Sequence, residues 1–276
     1  MKIQLKAALN ELRKKKKSTF AFNLQNFHQL EACVQVANDL KTPVIIQFSE
    51  RFLRFLEKKY TVEYIIEKYQ TEYTYFHLDH CIDLDFIKFC IDSGFDSVMY
   101  DGSAFEIEEN IKNTLIIKRY AEKSECLVEG ELGIVSGVED GFGDEGSSYA
   151  EIMEIVRYVK ETKIDLMALG IGNAHGFYEN LDGIDISILR EASEKLNPNQ
   201  LFVLHGGTGL PEQVIKEAIS LGVVKINIST QLKKQTMDIL KEYAKNNELF
   251  NEISYHQNMV EGLSELFENY LRQYTL

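Results

Sequence analysis

The stretch YFHLDHC, residues 75–81, is a short apolar run with an aspartate and a histidine just before its last residue and a second histidine inside it. Its length and its aromatic and branched residues suit a buried strand. The pair at its end is either the polar tip of that strand or part of a metal site. Seven further runs share its form: FAFN (20–23), VIIQFS (44–49), SVMYD (97–101), CLVEGEL (126–132), LMALGIG (166–172), LFVLHG (201–206) and VVKINIS (223–229). Amphipathic stretches such as FHQLEACVQVANDL and AEIMEIVRYVKET lie between them. Eight strands alternating with helices make the repeat of a (β/α)8 TIM barrel, an α/β fold whose usual size is ~250 residues. A doubly wound sheet is the alternative, and eight regular units favour closure. With three prolines and no Ser/Gly-rich linker, residues 1–276 read as a single domain. A C-terminal helical extension is expected from about residue 248.

Composition narrows the partners. The chain has 45% hydrophobic and 26% charged residues, as an ordinary globular domain does. Its formal net charge of −13 argues against extended contact with nucleic acid or an anionic membrane. An anionic ligand would have to be held locally, by backbone N–H groups, a metal or a few cations. Cys33, Cys81, Cys90 and Cys126 form no C-x-x-C pair and read as reduced thiols of a cytoplasmic protein. No apolar run approaches the ~18–20 residues of a membrane span. The N-terminal stretch lacks a signal-peptide core, because its charges follow its apolar positions. Arg13 to Lys17 are expected to be a solvated helix end.

Polar residues gather at one end of the runs. Asn23, Ser49, Asp79, His80, Asp101, Glu131, His205 and Asn227 stand at or just past the C-terminal ends, and His175 follows the sixth run closely. In a barrel those ends converge on the face where active sites are built. Three imidazoles there, His80, His175 and His205, with one position left open, make a catalytic zinc arrangement. His28 falls in a helical pattern and His77 inside the third run, both structural positions. GNAHGF surrounds His175, and HGGTGLPEQ leads from His205 into a helix near Pro211. After the eighth run, NIST opens another helix. Glycine turns and helix starts after strands 7 and 8 suit a phosphate. DGSAFE offers a capping box between Ser103 and Glu106. Residues 130–148 form the longest irregular segment, rich in glycine and acid, with the character of a mobile lid that delivers a carboxylate or of a plain solvated loop.

HLDH, SVMYDGS, EENI, VEGELG, GVEDG, GNAHG, VLHGGTGLP and KINIST together resemble the zinc-dependent class II aldolases of the fructose-bisphosphate and tagatose-bisphosphate group. The likeness runs in order from AFNLQN to about residue 245. It implies that His80, His175 and His205 bind Zn2+ or another divalent metal. It implies that Asp79 is the acid handling the substrate hydroxyl, and that Glu139 exchanges the carbon-bound proton. Gly176, Gly206, Gly207, Thr208, Asn227, Ile228, Ser229 and Thr230 would hold dihydroxyacetone phosphate, with Asn23 and Ser49 completing the substrate site. Asp101 and Glu131 are candidates for a second metal or for the monovalent cation (Na+ or K+) such enzymes often use. The resemblance also implies a sugar-phosphate substrate and a homodimer or homotetramer.

Departures from the family pattern fall at the other end of the substrate. Thr208 stands where serine is common, and keeps the hydroxyl. ERFLRFL follows Ser49 in place of a glycine-containing turn, the acid loop is short, and His256 in SYHQNM stands at about the place of an arginine. These bear on the aldehyde partner. They favour a ketose 1-phosphate with an unphosphorylated aldehyde product over an ordinary 1,6-bisphosphate. Other readings of the same residues are a metal-dependent hydrolase, a Schiff-base aldolase using Lys225, and a catalytically silent binding barrel.

Overall fold

In a computed structural model the described residues are 3–57, 61–139, 142–144, 148–178, 180–246 and 251–276. Eight parallel strands close into a barrel: β1 (Thr19–Asn23), β2 (Val44–Ser49), β3 (Thr74–Cys81), β4 (Ser97–Tyr100), β5 (Leu127–Leu132), β8 (Leu166–Leu169), β9 (Leu201–Leu204) and β10 (Val223–Ile228), with β1 pairing β10. Between β5 and β8 lies a small antiparallel hairpin, β6 (Gly137–Glu139) and β7 (Phe142–Asp144). The segment from 130 is thus not irregular throughout: β5 runs to Leu132, and the hairpin follows.

The helices are α1 (Leu5–Lys14), α2 (Phe27–Leu40), α3 (Glu50–Glu57), α4 (Val62–Tyr69), α5 (Leu84–Asp92), α6 (Ile107–Ala121), α7 (Ile152–Thr162), α8 (Ile186–Lys195), α9 (Glu212–Ser220), α10 (Thr230–Asn246) and α11 (Glu252–Tyr274). Asn26, Thr61 and Asp83 cap α2, α4 and α5 by accepting from backbone N–H groups of the first turn. The expected capping box does not form. Ser103 Oγ donates instead to Asp101 Oδ1, and Glu106 caps α6 with its backbone alone.

Strand alternation sorts side chains between two cores. Phe20, Phe22, Ile46, Phe48, Phe76, Leu78, Val98, Val128, Leu204 and Ile226 face the helices. Phe22 meets Phe267 of α11 edge to face, with ring centroids 4.6 Å apart. Ala21, Ile45, Tyr75, Leu127, Leu166, Leu201 and Val203 form a second cluster with Leu5, Leu9 and Leu12 of α1, which closes the N-terminal mouth of the barrel. The leucines recur every three or four residues, on one face of that helix. Arg13 corrects the expectation of a solvated helix end: it is half-buried, and its guanidinium donates to the carbonyls of Pro198, Gln200 and Gly222.

Candidate active site

Asp79 and His80 are neighbours on a strand, so alternation alone would send them to opposite faces. The β3–β4 register shifts between Leu78 and Cys81, and His80 has φ +29°, a left-handed conformation uncommon for a residue with a side chain. This bend brings both side chains to the same centre. His80 Nε2 lies 3.8 Å from Asp79 Oδ1 and 3.0 Å from His205 Nδ1. His175 arrives from the loop after β8, and its ring centroid is 5.2 Å from that of His80. Its loop is tied to the hairpin: Ser136 O accepts from His175 N, and the carbonyl of His175 would stand 2.8 Å from a Cβ at Gly137.

The donor set suits a metal ion. One nitrogen from each of His80, His175 and His205 lies within 4.8 Å of the others, and so do donor atoms of His80, Asp101 and Glu131. Each of two imidazoles has a carboxylate behind it. His80 Nδ1 donates to Asp101 Oδ2 at 2.7 Å, and His205 Nε2 donates to Glu129 Oε1 at 2.8 Å. Such partners fix the ring orientation of metal ligands. Glu131 Oε2, buried and 3.6 Å from His205 Nδ1, has no hydrogen-bond partner among the described residues.

The electrostatics agree. Burial works against a charge on His80, yet Asp79, Asp101 and Glu131 together lift its pKa well above the ordinary 6.5. Burial and the nearby His80 push His175 down to about 4, and the same two causes hold His205 well below its usual value. Burial and Asp101 raise Glu131. Asp101 is also buried, but its bond from His80 takes it down to about 2. The carboxylates around His80 thus favour positive charge at this centre.

Asp79 is fixed by amides. Asn23 Nδ2 donates to its Oδ2 at 2.8 Å, and Asn227 Nδ2 reaches its Oδ1 at 3.4 Å. Gln47 Nε2 donates to Asn23 Oδ1 at 2.7 Å, which sets the direction of the Asn23 amide. Beside this group, three loops are sewn together. Tyr178 Oη accepts from Ala174 N and donates to Gly206 O, Gly207 N donates to Asn227 O, and Thr208 Oγ1 accepts from Gln231 N. A Cβ at Gly206 would fall 2.2 Å from Ala174 O, so only glycine permits this approach. Gly176 faces open space, Ser229 Oγ is buried without a hydrogen-bond partner among the described residues, and Thr230 opens α10. A helix N-terminus beside glycine turns suits a phosphate.

Other expected residues fare differently. Ser49 lies level with Asp79, but its hydroxyl accepts from Phe52 N and caps α3. The Ile228 side chain belongs to the helix-facing core, so only its backbone can serve a ligand. Glu139 ends β6, and its side chain lies outside the described residues. His256 stands on the outer surface of α11, beside Glu31 and His28, which corrects its placement at the substrate. Lys225 is fully buried and its ammonium is held by Glu129 and His77, a setting unsuited to a Schiff base. Sequence reasoning passed over Gln47, Glu129 and Tyr178. Two of these, Gln47 and Glu129, are polar residues within apolar runs, which is the signal that could have found them.

A barrel that gathers imidazoles and carboxylates at its C-terminal mouth has the form of an enzyme with a candidate metal-ion site. Likeness to known proteins narrows the class. Residues 3–275 match the family model of the class II fructose-bisphosphate aldolases. The 6-phospho-5-dehydro-2-deoxy-D-gluconate aldolase of Bacillus velezensis is 33% identical over 278 residues, covering 99% of this chain and 95% of that protein. The fructose-bisphosphate aldolase of Geobacillus stearothermophilus is 35% identical over 234 residues, covering 83% and 81%. In fold, the chain matches the YdjI aldolase from Escherichia coli K12 with a TM-score of 0.81, 24% identity and coverage of 99% and 97%. The chain belongs to the class II fructose-bisphosphate aldolase family and is an aldolase, a lyase. Members of that family are generally metal-dependent and act on sugar phosphates. Among the described residues no helix is long and apolar enough to cross a membrane.

Proposed function

We propose that this chain catalyses reversible aldol cleavage of a substrate with a phosphate beside its ketone, giving dihydroxyacetone phosphate and an aldehyde. The convergence of His80, His175 and His205, with Asp79 next to His80, carries the reading. The three imidazoles would hold Zn2+ or another divalent ion, and Asp101 and Glu131 a second metal or a monovalent cation. Bound there, the divalent ion would act as a Lewis acid on the substrate's carbonyl and hydroxyl oxygens, so no covalent bond to the chain is needed. Asp79, aimed by Asn23 and Asn227, takes the proton of the hydroxyl on the departing carbon. The carbon left with the bond's electron pair needs a proton, and that role falls to Glu139. Gly176, Gly206 to Thr208 and Asn227 to Thr230 hold the phosphate through N–H groups and hydroxyls. Four buried free cysteines suit a reducing cytoplasm. The family resemblance implies a dimer or tetramer.

The far end of the substrate reads as free of phosphate. Glu50 opens α3 directly after Ser49 and would repel a phosphate there. Arg54 is already paired, at 2.7 Å each, with Glu50 and Asp83. His256 is elsewhere. A charge-assisted contact to phosphate contributes roughly 1.5–3 kcal/mol, or ~10–150-fold in affinity, and no such contact is evident on this side among the described residues. The relative from B. velezensis is named for an acid with one phosphate, next to its ketone, and a carboxylate at the other end. Aldol cleavage of such a molecule likewise leaves the only phosphate on the dihydroxyacetone half. The relative from G. stearothermophilus takes a bisphosphate by name, and exposed Arg51 is the residue that would serve one here.

The test is kcat/KM for fructose and tagatose 1,6-bisphosphates against ketose 1-phosphates and the phosphorylated deoxy-keto acid. The expected result is activity on a singly phosphorylated substrate at least equal to that on a bisphosphate. A bisphosphate preference above about a hundredfold, the scale of the missing contact, would restore the ordinary bisphosphate aldolase. Absence of carbon–carbon cleavage on every substrate would leave a hydrolase or a silent barrel.

A further inference from the structure

Below the imidazoles, the barrel lumen holds a layer of polar groups that the aldol chemistry does not use. Lys225, Glu129, His77 and Ser97 are each 0% exposed. They come from β10, β5, β3 and β4, and they form one chain of hydrogen bonds. Lys225 Nζ donates to Glu129 Oε2 at 2.7 Å and to His77 Nε2 at 2.9 Å. An ammonium can only donate, so His77 accepts at Nε2 and carries its proton on Nδ1. That proton goes to Ser97 Oγ, 2.8 Å away. On the other side, Glu129 Oε1 accepts from His205 Nε2 at 2.8 Å. The two oxygens of one carboxylate are thus divided between a lysine and a candidate metal ligand.

We propose that Lys225, braced by His77 and Ser97, is a positioning residue for the metal site, acting on His205 through Glu129. The inference rests on the metal reading of the three histidines. Its physical basis is the division of the carboxylate. With Oε2 held by Lys225, Glu129 cannot turn about its terminal bond, so Oε1 stays on His205 Nε2. With Nε2 committed as a donor, His205 presents Nδ1, free of its proton when neutral, toward His80 Nε2 and Glu131 Oε2, 3.0 and 3.6 Å away. Removal of the ammonium would leave Oε2 fully buried without its donor, and the carboxylate would turn to seek another. His205 would then lose its orientation, although no ligand atom had been changed.

The experiment measures metal affinity rather than turnover. Zn2+ dissociation constants are taken by chelator competition on purified parent, Lys225→Met, Glu129→Gln and Glu129→Gln/Lys225→Met, with circular dichroism as the check on folding. The visible spectrum of each Co2+-loaded protein reports ligand geometry. Methionine fills nearly the volume of lysine without its charge. Lys225→Met is expected to weaken Zn2+ binding by about 10–100-fold, the usual effect of losing a group behind a metal ligand, and to alter the Co2+ spectrum. Glu129→Gln should weaken it comparably, and the double variant should match Glu129→Gln. Parent-like affinity and spectrum in Lys225→Met would show that the lysine only fills space, and would overturn the proposal. If Lys225→Met does not fold, the double variant, which buries no unpaired charge, decides. A further loss of about tenfold or more beyond Glu129→Gln would mean that Lys225 does not act through Glu129. A parent protein that takes up no divalent metal would overturn the metal reading and this one together, an outcome distinct from a difference among variants.

Discussion

Replacement of Asp79 by asparagine tests the division of labour in the site, because the surroundings fix what the new side chain can do. Asn23 and Asn227 both present N–H groups to Asp79, and Asn23 cannot turn over without losing the bond it accepts from Gln47. An asparagine at 79 has one oxygen to offer them. The shorter contact, 2.8 Å to Asn23, keeps that oxygen, and the new NH2 faces Asn227, whose contact is already long at 3.4 Å. The fold therefore loses about one charge-assisted hydrogen bond, roughly 1.5–3 kcal/mol. That lies below the ~5–15 kcal/mol of a typical domain, so the variant should fold. Chemistry loses more. A positioned acid–base group contributes about 10²–10⁴-fold, which is ~2.7–5.4 kcal/mol of barrier.

The assay has two arms on the same protein. Cleavage is followed by trapping the aldehyde, and proton exchange by NMR of dihydroxyacetone phosphate in D2O. Asp79→Asn should lose cleavage by ~10²–10⁴-fold and keep carbon–proton exchange within about tenfold of the parent. Glu139→Ala should lose the exchange. Metal content is measured alongside, since Asp79 lies 3.8 Å from His80. Cleavage within about tenfold of the parent would refute the base assignment, and exchange that falls as far as cleavage would refute the separation of roles.

Two further outcomes follow from local geometry. His80 must shed a proton to bind metal, and its carboxylate neighbours hold its pKa above 6.5 in the metal-free protein. Metal affinity should therefore rise about tenfold per pH unit up to that raised pKa and level off above it, and a flat profile between about pH 6 and 7 would contradict the protonated cluster. Gly130→Ala would set a Cβ 2.1 Å from the Tyr158 hydroxyl, which is buried and 2.8 Å from Thr114 Oγ1. Urea denaturation should show a loss of about 1–3 kcal/mol, partly recovered by adding Tyr158→Phe, and parent-like stability would contradict the packing.

The barrel was legible because its evidence is periodic. Short apolar runs recur between amphipathic stretches, and all but the sixth carry a polar residue where the lumen opens, so Asn23, Asp79, Glu131 and Asn227 could be placed on one face from spacing alone. What spacing cannot supply is any feature that departs from the period or joins distant segments. The bend at His80 is of the first kind: two adjacent ligand-like residues are a contradiction in a regular strand, and only the shifted register resolves it. Arg13 is of the second, and Ser103 is a local competition that spacing does not rank. A basic helix end predicts solvent, yet three carbonyls from loops over 180 residues away captured the Arg13 guanidinium. A capping-box spacing predicts a helix start, yet Asp101 took the Ser103 hydroxyl first.

The polar layer under the site belongs with these. Glu129 and Lys225 are 96 positions apart, and each alone is an anomaly in an apolar run. Together with His77 they have a common cause. An imidazole that offers one nitrogen to a metal must place its other N–H somewhere, and in a closed barrel that direction points down into the lumen. An apolar layer there would leave His205 Nε2 a buried donor without an acceptor, at ~1–3 kcal/mol, and would leave the ring free to turn. A carboxylate below it removes that penalty but brings a buried charge, which a lysine from β10, three strands round the barrel, then balances. The histidine in the middle of YFHLDHC completes the sequence of requirements. It accepts from one of the lysine's two remaining N–H groups in the lumen, one layer beneath the histidine near the end of the same strand.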